Sequence, residues 1–306
     1  MTLATTRLSG PGGEVAIGDG HPFRIIGERI NPTGRAQLTE DLKVMDMTTV
    51  QRDAQAQVRA GAAVLDLNAG IPGFDEAAML SAVVKTVHEV VDVPLCIDSS
   101  TPEALEAAVP LAQGKVLINS VTAEEHSLER LLPLVARFGA AVIGMANDEE
   151  GISMDPQTRL AAARKIVERA ADHGIARDDV IIDPLTMPIG AAGDAATAMF
   201  ETVRLIREEL GVNVSCGASN ISFGMPDRQG IDAAFLTMAA MAGMNTAITN
   251  PLHAPVRSAL LASDLLLGRD AFGAAWIAEH RAKAAGPGGS SSEAEPSDSP
   301  PVEESR

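Results

Sequence analysis

The sequence predicts a (β/α)8 barrel, because short apolar runs and amphipathic stretches alternate eight times along the chain. The eight runs have the length and the β-branched or aliphatic content of buried strands, and they cover residues 23–30, 63–69, 94–100, 116–122, 141–148, 180–186, 213–220 and 246–251. The alternation extends over roughly 260 residues, close to the usual size of this fold. An open, doubly wound sheet is the alternative, but it would place G-x-G-x-x-G after the first strand. The sequence there reads GERINPTGR, which does not fit.

The stretches between the runs have helical periodicity. In 156–174 the apolar residues recur on one face, and Gly174 is placed to end the helix. Thr101 and Pro102 mark the start of another helix, as its N-cap and its first residue. The segment DAFGAAWIAEHRAKA predicts one extra helix after the eighth unit. We therefore expect eight strand–helix units followed by a C-terminal helix.

The two ends of the chain differ in composition from the repeated part, which we expect to span 23–284 with its extra helix. Residues 1–22 contain the turn signals GPGG and GDG around EVAIG, and they predict an N-terminal extension that could fold as a hairpin. Residues 285–306 are mostly Gly, Pro, Ser and Glu with a single valine. Such a segment cannot bury enough apolar surface to offset its ordering entropy, so we expect a disordered acidic tail.

Charge and composition exclude several classes of protein. The 306 residues carry a formal net charge of −17, whereas a protein that binds nucleic acid needs a basic face. No apolar run approaches the roughly 20 residues of a membrane span, and the N-terminus lacks a signal-peptide core. Cys96 and Cys216 lie in apolar runs, which favours two buried free thiols over a disulfide or a metal site. We expect a cytoplasmic protein without nucleic-acid or membrane partners.

Polar side chains at the ends of the eight runs indicate the function, because reacting groups lie at the C-terminal ends of strands in this fold. These ends are rich in Asp and Asn, hold one arginine and contain neither lysine nor histidine. Their polar residues are Glu28, Arg29, Asn31, Asp66, Asn68, Asp98, Ser99, Asn119, Ser120, Asn147, Asp148, Asp183, Ser219, Asn220 and Asn250. The set argues against a Schiff-base lysine, a histidine metal site and a phosphate site after the last two strands.

Carboxylates and carboxamides suit a neutral heterocycle with several donors and acceptors, such as an amino-pyrimidinone. A carboxylate accepts two parallel N–H groups, and each carboxamide adds a donor and an acceptor. Any single Asp or Asn at these positions could instead cap a turn or a helix, and Ser99 and Asp75 suit that role. The convergence of five or more such groups at one end of a barrel favours a binding site for the set. The six histidines are scattered, and we expect them at the surface.

Six motifs in order, IGERINPTGR, LDLNAG, CIDSS, LINSV, IIDPL and GASNISFG, resemble those of the pterin-binding methyltransferases. That family moves a methyl group between methyltetrahydrofolate and a corrinoid protein, and its folate module also occurs in cobalamin-dependent methionine synthase. The resemblance runs from about residue 24 to about residue 270. It implies a TIM barrel, often a homodimer, with the pterin in the open top.

The resemblance also implies roles for individual residues of these motifs. Asn220, from GASN, would lie beside the N5 nitrogen that carries the methyl group and would be the catalytic residue. The implied pterin-binding residues are Asp98, Asn119, Asp183, Asn68, Glu28, Asn31, Ser219 and Arg228. Methyltetrahydrofolate or tetrahydrofolate is the implied substrate, the corrinoid (cobalamin) is carried by a partner protein, and no metal is expected on this chain.

A carboxamide at the reacting atom has a chemical reason. The amine leaves only if N5 gains a proton or a strong hydrogen bond as the C–N bond breaks. Asn220 can present its donor or its acceptor end, so it can favour the state in which charge develops. We expect a switchable hydrogen-bond partner, with the proton arriving through water or a network. The alternative interpretation is that Ser-Asn only holds a tight turn.

Two other functions fit parts of the sequence. Dihydropteroate synthase shares the barrel and the pterin pocket, but such proteins have a lysine after strand 6 or 7 and an Arg-x-His pair near strand 8. Here strand 8 reads AITNPLHAP, without that pair. The other alternative is a non-catalytic folate-binding module, which would bind methyltetrahydrofolate without transferring its methyl group.

Overall fold

Eight parallel strands form a closed barrel, and an antiparallel hairpin precedes them. The computed structural model describes residues 3–285. The hairpin strands are β1 (Thr5–Gly10) and β2 (Gly13–Gly18); the barrel strands are β3 (Arg24–Ile30), β4 (Val64–Leu67), β5 (Leu95–Asp98), β6 (Leu117–Thr122), β7 (Ala141–Met145), β8 (Val180–Asp183), β9 (Asn213–Val214) and β10 (Thr246–Thr249). Their order is β10-β3-β4-β5-β6-β7-β8-β9. Ile248 N donates to Cys216 O over 2.8 Å and joins the two ends of this order. The barrel is confirmed, and the open sheet is wrong.

Helices surround the barrel. They are α1 (Ala36–Lys43), α2 (Thr48–Arg59), α3 (Glu76–His88), α4 (Pro102–Ala108), α5 (Glu125–Phe138), α6 (Pro156–Asp172), α7 (Ala195–Glu209), α8 (Arg228–Ala242), α9 (Ala254–Leu266) and α10 (Ala274–Ala285). The expectation of one helix per connection is wrong between β3 and β4, which α1 and α2 share. Met45 has a φ of 57° between them, and the Asp46 carboxylate accepts from Thr48 N over 2.9 Å at the start of α2. This turn separates the two helices.

The strands are shorter than the apolar runs, and the largest difference follows β9. The run 213–220 was expected to be one strand, but it pairs as a strand only at Asn213–Val214, and Ala218–Asn220 form a 3-10 turn. A Cβ on Gly217 would lie 3.1 Å from Asn220 Nδ2. The missing side chain at Gly217 therefore lets the Asn220 amide fold back over the backbone. Asn220 lies on a turn beyond the strand.

The apolar core has two layers, one inside the barrel and one between the strands and the helices. The inner layer contains Ile26, Val64, Cys96, Leu117, Ala141, Ile143 and Ile181, together with Leu8 and Ile17 from the hairpin. The hairpin thus closes the N-terminal end of the barrel, called the base below. The opposite, C-terminal end, called the mouth, is left to polar residues. Cys96 and Cys216 are buried free thiols, as expected.

Residues 3–285 contain neither a membrane-spanning helix nor a metal-binding cluster. Between residues 3 and 285, no helix is long and apolar enough to cross a membrane. The same part of the chain holds no group of three His, Cys, Asp or Glu side chains arranged to bind a metal ion. The predicted tail, 285–306, lies outside the described residues except for Ala285, the last residue of α10.

Candidate active site

Strands β4, β5 and β6 carry a linked set of carboxyl and amide groups at the mouth. Asp98 and Asn119 are partners in the register of β5 and β6. Asn68 Nδ2 donates to Asp98 Oδ2 over 3.0 Å, and Asn119 Nδ2 donates to Asp66 Oδ1 over 3.2 Å. Each of these bonds joins β4 to a strand further along the barrel. The predicted residues Asn68, Asp98 and Asn119 are therefore brought together.

The amide of Asn68 is engaged at both ends. Besides its bond to Asp98, its Oδ1 accepts from Gly70 N over 2.9 Å. Asn119, by contrast, uses Nδ2 for Asp66, and its Oδ1 has no hydrogen bond within residues 3–281. Asn68 is placed to hold Asp98 in position, whereas Asn119 has an acceptor left for a ligand.

Glu76 supports this set from the first position of α3. Ser99 Oγ donates to Glu76 Oε1 over 2.5 Å, and Thr101 Oγ1 donates to Glu76 Oε2 over 2.9 Å. Thr101 N in turn donates to Ser99 Oγ, so Ser99 organises the turn after β5, and Asp75 caps α3 by accepting from Ala78 N. Sequence reasoning missed Glu76, because an acid is common in the first turn of any helix.

Asp66 is buried and Asp98 and Asp183 are partly buried, and none of the three forms an ion pair within residues 3–281. Burial raises the pKa of Asp98 to about 6, and the Asn68 hydrogen bond partly opposes the shift. Burial also raises the pKa of Asp183 to about 6. The pKa of Asp66 lies well above its ordinary value, because the group is fully buried and Asp98 is nearby. The hydrogen bonds that these carboxyl groups accept offset the effect of burial only in part, and acids with raised pKa values of this kind are typical of functional sites.

Asp183, at the end of β8, is anchored by backbone N–H groups. Leu185 N donates to Asp183 Oδ1 over 2.7 Å. A further backbone hydrogen bond comes from Gly217, and together with the nearby Arg159 it lowers the pKa of Asp183 against the effect of burial. Since Gly217 begins the turn that ends at Asn220, the structure brings Asp183 next to that turn.

Glu28 and Ser219 join the first and seventh strands of the barrel across the mouth. Ser219 Oγ lies 3.0 Å and 2.9 Å from the two Glu28 carboxylate oxygens. Arg228, at the start of α8, donates to Ser219 O over 2.5 Å and to Ser222 Oγ over 3.0 Å. Burial raises the pKa of Glu28, and the Ser219 hydrogen bond partly opposes this. The predicted residues Glu28, Ser219 and Arg228 thus form a second set.

Asn220 and Asn31 lie at the edges of the second set. Asn220 is exposed, and its side chain makes no hydrogen bond within residues 3–281. Asn31 Oδ1 accepts from Thr33 N over 2.9 Å and stabilises the turn after β3. Of the two carboxamides, Asn220 has its donor and its acceptor free.

Sequence reasoning also missed two partly or fully buried groups near the mouth. Asp232 on α8 is 1% exposed, its pKa is raised by burial, and its Oδ1 has no partner in the described structure. His253 bonds Asn250 through Nε2 over 3.0 Å, and its buried Nδ1 has no partner there. His253, expected at the surface, is partly buried, and this burial lowers its pKa. An acid among apolar residues of α8 was the only signal for Asp232.

Comparison with known proteins identifies similar sequences. The profile of the family described as "Pterin binding enzyme" matches residues 27–250. The chain is 32% identical over 252 residues to the methylcorrinoid:tetrahydrofolate methyltransferase of Eubacterium limosum, and the match covers 80% of this chain and 92% of that protein. It is 30% identical over 239 residues to methionine synthase of Mycobacterium tuberculosis (strain ATCC 25618 / H37Rv). That match covers 74% of this chain but 20% of the longer protein.

Comparison with solved structures identifies the same barrel. Dihydropteroate synthase from Vibrio fischeri ES114 superposes with a TM-score of 0.65 at 18% identity, covering 86% of this chain and 98% of the other. The enzyme from Thermus thermophilus in complex with 6HMPPP gives a TM-score of 0.61 at 22% identity, covering 85% and 99%. At such identities the likeness shows the fold and leaves the reaction to the residues at the mouth.

Proposed function

The chain belongs to the pterin-binding enzyme family, and on that premise we propose that it is a methyltransferase. The proposed reaction moves a methyl group between N5 of methyltetrahydrofolate and the corrinoid of a separate protein. One observation carries the proposal: Asp183, whose pKa burial raises, lies beside a turn whose carboxamide, Asn220, has no partner in the described structure. Relatives that are methyltransferases support the same reaction class.

The mouth suits the edge of a reduced pterin. Asp183 and Asp98, once ionised, accept N–H groups from the amino-pyrimidinone ring, and Asn119 Oδ1 offers a further acceptor. Because these groups are buried, each hydrogen bond to the ligand also relieves a desolvation cost. Asn68 and Asp66 hold the acceptors in position, through bonds of 3.0 Å to Asp98 and 3.2 Å to Asn119.

Asn220 then acts where the C–N bond breaks or forms. Its amide turns either the donor or the acceptor end toward N5, and it stabilises the charge that develops there. The proton for N5 comes through water or the polar network around the mouth. Asn220 needs freedom to turn, which agrees with an exposed side chain that has no fixed hydrogen bond.

The cobalt of the corrinoid supplies the nucleophile or, in the reverse direction, the methyl group. The name of the Eubacterium limosum relative indicates transfer from a methylcorrinoid to tetrahydrofolate. We extend the same pair of substrates to this chain, with folate in the mouth and the corrinoid presented by a partner protein. A homodimer and a cytoplasmic location, both implied by the sequence, stay predictions.

A spectral assay tests the reaction. The purified protein is mixed with methyltetrahydrofolate and a corrinoid protein reduced to cobalt(I), and the corrinoid absorption is followed. We expect methylation of the corrinoid that depends on this protein and falls sharply in Asn220→Ala. Saturable folate binding without methylation of several corrinoid proteins would contradict the reaction and support a non-catalytic folate-binding module.

A further inference from the structure

Arg29, the residue after Glu28 on β3, has an unusual environment. Its side chain is partly buried, yet it has no hydrogen bond or ion pair with any residue between 3 and 281. Its backbone N–H is fixed by Gln57 Oε1 over 2.9 Å, and Gly27 leaves room for that glutamine. Burial and the nearby Arg35 lower the pKa of the Arg29 guanidinium. Asp53 and Glu28 are nearby but neither pairs with Arg29 directly, and a partly buried guanidinium without a hydrogen-bonded anion is costly, so it indicates a ligand.

Two more arginines leave the surroundings of Arg29 positive. Arg35 and Arg52 both pair with Asp53, at 2.6 Å and 2.9 Å, so one carboxylate serves two guanidinium groups. Glu28 is the other acid beside Arg29, and its carboxylate accepts the single hydroxyl proton of Ser219. The arginine cluster (Arg29, Arg35 and Arg52) therefore keeps excess positive charge in a chain whose formal net charge is −17.

His253, between β10 and α9, gives a second, independent indication of a missing ligand. His253, at the start of α9, is close enough to Arg29 for the guanidinium to lower the pKa of the imidazole. Its Nδ1 is buried and has no hydrogen-bond partner in the described structure. Two groups from different strand–helix units, Arg29 and His253, thus both offer unused donor capacity at one edge of the mouth.

The proposed position of N5 places the start of the folate tail near this edge. In methyltetrahydrofolate the aminobenzoyl-glutamate tail is attached at C6, the carbon bonded to N5. With N5 beside Asn220, the tail begins at the turn after β9, and the next strands around the ring are β10 and β3. Arg29 lies near the end of β3 with Arg35 and Arg52 after it, and His253 follows β10.

We propose that the arginine cluster, with His253, binds the carboxylates of the folate's glutamate tail. The proposal rests on the proposed function, because it takes the folate as the substrate of the mouth. The planar guanidinium of Arg29 fits a carboxylate through two parallel N–H bonds. The pterin set of β4, β5, β6 and β8 and the tail set of β3 and β10 are then separate halves of one substrate site.

The affinities of two ligands, one with the glutamate tail and one without it, distinguish the tail set from the pterin set. Dissociation constants are measured for methyltetrahydrofolate and for 6-methyltetrahydropterin, which lacks the tail, in wild type, Arg29→Gln and the control Arg137→Gln. Arg137 is an exposed arginine on α5 that pairs with Glu106. Arg29→Gln should weaken methyltetrahydrofolate about tenfold and leave the tail-free pterin within about twofold of wild type. Arg137→Gln should change neither.

A second variant keeps the test valid if Arg29→Gln does not fold. The Arg52 side chain is 63% exposed, so Arg52→Gln should fold normally and weaken only methyltetrahydrofolate, by about threefold. An equal loss for both ligands, or no loss for either, would overturn the tail site. If wild type binds both ligands with the expected pattern but transfers no methyl group, the tail site stands and the proposed reaction fails.

Discussion

The base and the mouth of the barrel both contain buried polar side chains, and at the base the network around Asn213 is complete. Asn213 Nδ2 donates to Thr6 Oγ1 over 3.0 Å and to Ile17 O over 2.8 Å, and Asn213 Oδ1 accepts from Asn245 over 2.8 Å. Arg207 adds a bond to Val212 O over 2.8 Å. Each polar atom of Asn213 has a partner inside the protein, and the hairpin is tied to the barrel.

At the mouth, the polar groups are left with unused capacity. Asn147 Oδ1, Asp232 Oδ1 and His253 Nδ1 are buried without partners in the described structure. Burial raises the pKa values of Asp98 and Asp183 to about 6. The difference teaches that a polar network built for stability satisfies its own members, whereas one built for a ligand stays incomplete and costs stability.

The largest expected effect concerns activity at the mouth. Asn220→Ala should raise the barrier to methyl transfer by about 2 to 4 kcal/mol, as the loss of one well-placed donor does elsewhere. Its free energy of unfolding should be unchanged, because the exposed amide has no fixed partner. Turnover with a reduced corrinoid protein and urea unfolding measure the two quantities. Gln229→Ala, another exposed carboxamide nearby, is the control; equal turnover of both variants would remove Asn220 from the mechanism.

At the base, we expect a substitution to lower stability and to leave folate binding nearly unchanged. Asn213→Ala should lower the free energy of unfolding by about 2 to 3 kcal/mol, because it leaves Ile17 O and the Asn245 amide without partners. The folded protein should keep its folate affinity within about twofold. Chemical unfolding and calorimetry measure these values. A large loss of affinity at unchanged stability would show that the base takes part in binding, and the comparison would fail.

Asp98→Asn tests the cost of an incomplete network. Burial raises the Asp98 pKa from 3.8 to about 6, so between these values the folded chain holds a proton that the unfolded chain has released. The contribution of Asp98 to the free energy of unfolding therefore falls as pH rises from 3.8 to about 6. Above pH 6, Asp98→Asn should be more stable than wild type by roughly 1 to 3 kcal/mol, with the advantage fading below pH 4.

Folate affinity should have the opposite pH dependence. In wild type it should increase as pH rises through about 6, because the ionised carboxylates of Asp98 and Asp183 accept N–H groups. Asp98→Asn should bind more weakly and lose part of this dependence. Unfolding curves and titrations at several pH values provide both measurements. An Asp98→Asn variant less stable than wild type above pH 6 would contradict the cost assigned to this carboxyl.

The smallest expected effect tests whether Asn68 positions Asp98 or contacts the pterin itself. Asn68→Ala removes the 3.0 Å bond to Asp98 without removing a free ligand-binding atom, so folate should bind about five- to tenfold more weakly, at about 1 kcal/mol. Turnover at saturating folate should change little. Separate values of kcat and KM distinguish weaker binding from slower turnover. A loss beyond about a hundredfold would mean that Asn68 touches the pterin directly.

The sequence predicted the features that follow from local pattern. Strand–helix alternation gave the barrel, and the ends of neighbouring strands brought Asp98 and Asn119 into one register pair. The boundaries were less accurate, because Gly217 allows the chain to leave β9 and form the turn at Asn220.

The features that the sequence could not predict depend on contacts between distant residues. The Ser219–Glu28 bond joins positions 191 residues apart, and the two bonds of the Asn68 amide, to Asp98 and to Gly70 N, follow from the folded structure and not from the local pattern. Glu76, Asp232 and His253 lie on helices or at helix starts, where an acid or an imidazole has ordinary surface roles. The side of the helix that faces the mouth is fixed by packing.

The most direct measurement of the central claim is a calorimetric titration of the unliganded protein with 6-methyltetrahydropterin above pH 6. The mouth should bind one molecule per chain, and the double variant Asp98→Asn, Asp183→Asn should remove the heat while it keeps the folded far-ultraviolet spectrum. Absence of binding in the wild-type protein, or unchanged binding in the double variant, would contradict a pterin site at these strand ends.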